Sequence, residues 1–142
     1  MKTSIHAFGT YVPHLRIKAA VIAEHWQRGS EQADGLGIVE KAVPSQDEDA
    51  FTLAWEAGRV ALENGEIGPQ DIQAVFVGSE SHPYAVKPTS AMLVSALQLN
   101  PFCHCADLEF ACKAGTAALQ IVSAMAACKQ VKYGLAIGSD TA

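Results

Sequence analysis

Residues 114–128, "AGTAALQIVSAMAAC", read as a helix that is apolar on every face except at Thr116, Gln120 and Ser123. It is too short to cross a bilayer, so it belongs inside protein on all sides. One sheet covers only one side of a helix. A second layer must therefore come from another subunit or from a second half of the fold. Composition agrees: the chain is 18% charged and 49% apolar, against about 25% charged for an average globular domain.

Around that helix the chain of 142 residues, sized for one domain, alternates. Residues 2–12 hold Ile5, Phe8, Tyr11 and Val12, broken by Gly9, and are predicted to form a first strand with a bend. Residues 15–26, "LRIKAAVIAEHW", place Leu15, Ala19, Ile22, Ala23 and Trp26 at helical spacing. "QRGSEQADGLG" then reads as loop. Ser45 and Glu48 have capping-box spacing, and Ala50, Leu53, Ala54, Ala57, Val60 and Ala61 predict a helix closed by Asn64-Gly65. "IQAVFVGS" (72–79) is an apolar run of strand length. Pro88 opens a helix through Ala91, Leu93, Val94 and Leu97. "FCHCADLEF" (102–110) and "YGLAIGS" (133–139) supply the remaining strands. The order β-α-β-α-β-α-β predicts an α/β layered sheet with right-handed crossovers.

In a parallel sheet the carboxyl ends of the strands gather along one edge, where ligands bind. Glu80 follows the second strand and Cys112 the third, so both project over that edge. Cys112 also stands just before a helix, whose dipole and N–H groups favour a thiolate and can hold an oxyanion. A thiol that forms a thioester beside a carboxylate suits acyl transfer with proton abstraction. Each residue also has a plainer reading: Cys112 as a small buried side chain at a turn, Glu80 as a solvated loop carboxylate. Gly115 permits tight packing at the elbow.

Other features exclude classes of function. The net charge is −5, from 10 basic and 15 acidic residues, with no basic run. Neither nucleic acid nor an anionic membrane fits as a partner. The N-terminus lacks the apolar stretch of a signal peptide, and no segment has the length of a membrane span. Cys103, Cys105, Cys112 and Cys128 show neither zinc-type pairs nor a secreted framework, which points to reduced thiols in the cytoplasm. In Cys103-His104-Cys105, strand alternation sets His104 opposite both thiols, so core packing is expected rather than a metal. Asp140 reads as a loop cap, His82 as part of the "SHPY" turn, and Lys113 either as support for the thiolate or as surface.

Four stretches, "EKAVP", "GSESHPYAVKPT", "DLEFACKAGTAAL" and "YGLAIGSDTA", closely resemble the archaeal-type hydroxymethylglutaryl-CoA synthases of the thiolase superfamily, from about residue 4 to the end. The resemblance implies a thiolase-like fold of two similar α/β halves in an α/β/α/β/α arrangement, of which residues 1–142 are the N-terminal half of a longer chain. It implies that Cys112 takes the acetyl group of acetyl-CoA as a thioester and that Glu80 acts as the general acid/base. The enolate so formed attacks acetoacetyl-CoA, and hydrolysis releases hydroxymethylglutaryl-CoA for mevalonate and isoprenoid synthesis. CoA thioesters are then substrates, with no further cofactor and no metal.

A homo-oligomer is expected, and family members associate with a thiolase and a small OB-fold protein. A related acyltransferase with another acceptor, and a non-catalytic assembly component, are the alternative readings. The family's acetoacetyl-binding histidine and CoA-binding basic residues match no position in these residues; His6, His14, His25 and His104 lack any partner pattern. The loop around Arg28, Gly29 and Ser30 departs from the family's form, which carries an acidic-Ala pair early and basic residues before "GLG". No substrate contact is carried there.

Overall fold

The structure, a computed structural model, describes residues 3–29 and 31–141, with Gln32 and Ala33 as backbone only. Ser30 therefore lies outside the described residues. Two compact units emerge, Val12–Glu48 and a larger one that joins the N-terminal segment to residues from Asp49 onward.

In the smaller unit, β1 (Leu15–Lys18) pairs antiparallel with β2 (Glu40–Val43), and two short helices lie between them, α1 (Ala19–His25) and α2 (Glu31–Gly35). This corrects the single helix predicted over 15–26 and the loop predicted around 31–35. The physical reason lies in "LRIK", where Leu15 and Ile17 alternate with Arg16 and Lys18 at the period of a strand. A partner four residues long then decides the outcome, and Arg16 Nε lies 3.5 Å from Glu40 Oε1 across the pair. Helical spacing resumes only at Ala19. The Ser45–Glu48 pair exists, but as a turn and not as the helix cap: Ser45 N donates to Glu48 Oε2 (2.6 Å) and Glu48 N to Ser45 O (3.1 Å).

The larger unit is built on α3 (Ala50–Gly65), β3 (Ile72–Gly78), α4 (Thr89–Ala96), β4 (His104–Leu108), α5 (Ala114–Ala127) and β5 (Tyr133–Gly138). Asp49 caps α3 by accepting from Thr52 N (2.8 Å), while Thr52 Oγ1 accepts from Asp49 N (2.8 Å). At the far end Glu66, at φ +50°, takes the left-handed turn expected of the Asn64-Gly65 pair. The three strands form a parallel sheet in the order β4-β3-β5.

β3 sits centrally and reads as one apolar run because both of its faces are covered. Val75 and Val77 point toward Ala54 and Leu62 of α3, Leu93 of α4 and Leu97 just past its end. Ala74 and Phe76 point toward Ala118 and Val122 of α5. The result is a helix–sheet–helix sandwich.

The predicted first strand does not form. Residues 3–11 join no sheet, and Ile5 and Phe8 are 70% and 75% exposed. Their spacing of three gives no alternation for a sheet face to bury. The segment is tied instead to the end of α3, through Asn64 Nδ2 to Phe8 O (2.9 Å) and His6 Nε2 to Gly65 O (3.2 Å).

Only one side of α5 is covered. Ala114, Ala118 and Val122 are buried on the sheet, while Thr116, Leu119, Gln120, Ala124 and Ala127 face outward. The all-round burial demanded by its sequence is not met within these residues. No helix among the described residues is long and apolar enough to cross a membrane.

The contact that seats α5 is backbone on backbone. A Cβ on Gly78 would fall 2.3 Å from Ala114 C and from Gly115 N, where no side chain can give way. Gly78→Ala is expected to cost about 3 kcal/mol or more, measured as a lowered urea midpoint. Gly35→Ala, whose added Cβ meets nothing within 4 Å, is expected to stay within about 0.5 kcal/mol of wild type.

Candidate active site

Gly78, Leu108 and Gly138 share one register line at the carboxyl edge of the sheet. The ladder runs one step further, from Ser79 N to Leu108 O (3.0 Å) and from Ser139 N to Gly78 O (3.1 Å). The connection leaving β3 goes to α4 on one face, and that leaving β4 goes to α5 on the other. Neighbouring connections that diverge in this way open a crevice between them, the place where α/β sheets bind ligands. Glu80 follows β3 and Cys112 follows β4, so the two flank that crevice from adjacent strands.

Cys112 lies in a single 3₁₀ turn, Ala111–Lys113, that leads into α5, and its side chain is exposed. The turn is tight because Ala111 adopts φ +43°, a left-handed conformation that costs an L-residue about 1–2 kcal/mol. Lys113 N donates to Phe110 O (3.0 Å), and the next amide donates to Ala111 O. The two N–H groups that follow Cys112 are thus committed inside the turn and are not free for an oxyanion. Gly115 brings the first turn of α5 against β5, for a Cβ there would lie 3.2 Å from Gly138 Cα. The Lys113 ammonium sits over the Phe110 ring at 5.1 Å from its centroid.

Glu80 reaches across the crevice mouth. Its Oε1 accepts the N–H of Ala111, the residue before Cys112. Its Oε2 takes no hydrogen bond among the described residues. Asp140, at the end of β5, sets the backbone from which Glu80 projects. Asp140 Oδ1 accepts from Glu80 N (2.7 Å), Ser81 Oγ (3.0 Å) and Ser79 Oγ (3.1 Å). Ser81 N donates to Ser79 Oγ (3.0 Å), and Thr141 N to Ser81 Oγ (3.0 Å). The cap expected of Asp140 is a clamp on the loop that carries Glu80.

A second carboxylate, Asp107, was not singled out by sequence. It is the penultimate residue of β4, and it caps α4 from outside: Oδ2 accepts from Thr89 N (2.6 Å) and Oδ1 from Ser90 N (2.8 Å). Pro88 precedes the first helical residue and has no side-chain oxygen to do this itself. The usable signal was a carboxylate next to the end of a strand, paired with a helix that begins on proline. His82 packs beside this cap.

The Cys103-His104-Cys105 run alternates as expected. Both thiols pack against the α3–α4 side of the sheet, while His104 lies against Phe76 at 5.5 Å between ring centroids. Burial, and then the neighbouring Cys105, push the Cys103 thiol pKa up.

These features define a class: a thiolase-like α/β fold with a cysteine at the start of the helix after one strand and an acid after its neighbour. The fold is shared with β-ketoacyl-[acyl carrier protein] synthase III of Thermus thermophilus, at a TM-score of 0.86 and 24% identity over 98% of this chain and 43% of that one. OleA of Xanthomonas campestris, solved with bound lauric acid and lauroyl-CoA, matches 90% of this chain and 40% of its own at a TM-score of 0.80 and 22% identity.

In sequence the chain is a relative of the archaeal hydroxymethylglutaryl-CoA synthases. It is 53% identical to that of Methanocaldococcus jannaschii over 139 residues, 97% of this chain, and 53% identical to that of Archaeoglobus fulgidus over 138 residues, 96% of this chain. It spans 40% of the length of each of these relatives. No protein-family model matches the chain.

The left-handed Ala111 yields a direct test of the turn. Ala111→Gly is expected to stabilise the protein by up to about 1 kcal/mol, because glycine meets no Cβ penalty at that φ. Thermal or urea unfolding measures it, and a loss of stability would show that the turn is not left-handed.

Proposed function

We propose that these residues are the acetyl-accepting, N-terminal half of a hydroxymethylglutaryl-CoA synthase, an acyltransferase working on CoA thioesters without a further cofactor. The single observation that carries this reading is the bond from Glu80 Oε1 to the Ala111 N–H, which holds a carboxylate beside an exposed cysteine at the crevice. The Cys112 thiolate attacks the carbonyl carbon of acetyl-CoA, and the CoA thiolate leaves. Glu80 then removes a proton from the methyl group of the acetyl thioester. The carbon so activated attacks the ketone of acetoacetyl-CoA, the ketone oxygen takes up a proton, and water cleaves the thioester to Cys112.

Identity supports the choice of acceptor. At 53% the synthases stand far above the 22–24% of the ketoacyl synthase and OleA, so acetoacetyl-CoA is the acceptor we assign. The four free thiols support a reducing, cytoplasmic setting. The outward apolar side of α5, with Leu119 40% exposed, supports a homo-oligomer.

Incubation with acetyl-CoA followed by peptide mass spectrometry is expected to find an acetyl group on Cys112, absent in Cys112→Ala. Glu80→Gln is expected to keep the adduct but to slow exchange of its methyl protons with deuterated solvent by about 10²–10⁴-fold. An acetylated residue other than Cys112, or undiminished exchange in Glu80→Gln, would overturn the assignment.

A further inference from the structure

Residues 79–88 connect β3 to α4, and Glu80 stands second among them. Upstream, this connection is clamped by Asp140; from Tyr84 to Lys87 it is exposed. Between the two lies His82, whose side chain is only 7% exposed and turned toward the first turn of α4. His82 Nδ1 lies 2.8 Å from Thr89 Oγ1 and 3.4 Å from Asp107 Oδ2. Thr89 is wholly buried, and the Asp107 carboxylate is fixed by the amides of Thr89 and Ser90. A proton on Nδ1 is donated to Thr89 Oγ1, and the Asp107 carboxylate 3.4 Å away favours it there.

The other ring nitrogen tells more. His82 Nε2 and Ser90 Oγ are buried and have no hydrogen-bond partner among the described residues. Leaving a polar atom unpaired in the interior is expensive, and an apolar side chain would fill the same space at lower cost. A histidine is explained at this position by what its Nδ1 holds. That bond ties the chain two residues after Glu80 to α4, next to Asp107 of β4. Together with the Asp140 clamp it fixes the backbone on either side of Glu80.

We propose that His82 is a positioning residue for Glu80: its bond to Thr89, beside the Asp107 carboxylate, keeps Glu80 Oε1 on the Ala111 N–H beside Cys112. The proposal rests on the reading of Glu80 as the base for its catalytic consequence, though not for its geometry. Amide hydrogen exchange of the chain, followed by NMR, tests the geometry without chemistry.

His82→Leu is expected to speed exchange at Ala111 by about tenfold or more while Val75 and Val77 in β3 keep their protection. His82→Asn, whose amide stands where Nδ1 stood, is expected to restore Ala111. Thr89→Val, which removes the partner oxygen and keeps the volume, is expected to repeat the loss. Unchanged protection at Ala111 in His82→Leu overturns the proposal; so does an equal loss at Ala111, Val75 and Val77, which marks a role in stability alone.

A second readout is methyl-proton exchange of the acetyl group on Cys112. In His82→Leu this is expected to fall by about tenfold to a hundredfold, the scale of a small misplacement, while the rate of Cys112 acetylation stays within about threefold. Exchange that survives in Glu80→Gln removes Glu80 as the base. Exchange lost in Glu80→Gln but intact in His82→Leu removes only the positioning role.

Discussion

The structure depends on a close approach between two backbones, α5 at Ala114–Gly115 and β3 at Gly78. Because nothing larger than hydrogen fits there, the first turn of α5 lies directly on the end of the central strand. The chain must then travel from the end of β4, at Leu108, to that point within five intervening residues. It does so by a 3₁₀ turn with Ala111 in a left-handed conformation, and that turn lifts Cys112 out to solvent. A bulkier residue at Gly78 would lift the helix and lengthen the path. The exposure of the thiol is thus a consequence of packing at a glycine three residues upstream of Ser81 in the neighbouring connection.

Three carboxylates near this sheet edge accept hydrogen bonds, and their partners separate their roles. Asp107 engages both oxygens with backbone amides and lies beside His82, so its acceptor capacity serves the start of α4. Asp140 gathers two hydroxyls and one amide on a single oxygen and thereby fixes the connection after β3. Glu80 has one amide on one oxygen and nothing on the other among the described residues. A base needs a lone pair that is not already spent on structure. By that criterion the two aspartates are scaffold, while the proposed base Glu80 keeps a free oxygen and is held by the other beside the Cys112 turn.

What could be read from the sequence follows from how many residues share a pattern. The runs at 72–78 and 133–138, and the helices α3, α4 and α5, each repeat their signal over six or more residues, and the structure places them within a few residues of expectation. The positions of Glu80 and Cys112 at the sheet edge were legible because one follows the run at 72–78 and the other stands just before α5. β1 and β2 were not, because a four-residue strand adjoining a helix leaves one or two alternations to read and depends on a partner more than twenty residues away. Asp107 and His82 were missed as a pair for a related reason. Nothing local in "SHPY" or "CADL" signals that the two side chains meet, since their contact arises only from the parallel register of β3 and β4.

The outward side of α5 separates the stages of the proposed chemistry. Acylation of a thiol needs only that the thioester reach it, and an exposed Cys112 meets that condition. Generating a carbanion equivalent is different, because water competes for both the base and the activated carbon, and enzymes exclude it. Phe110, two residues before Cys112, and Leu119, on α5, are 65% and 40% exposed. Apolar side chains exposed beside the Cys112 turn and on α5 are a surface that a covering layer would dry. The covering layer required by the sequence of α5 and the dry site required by the proposed condensation point the same way, to protein packed on the outer side of that helix.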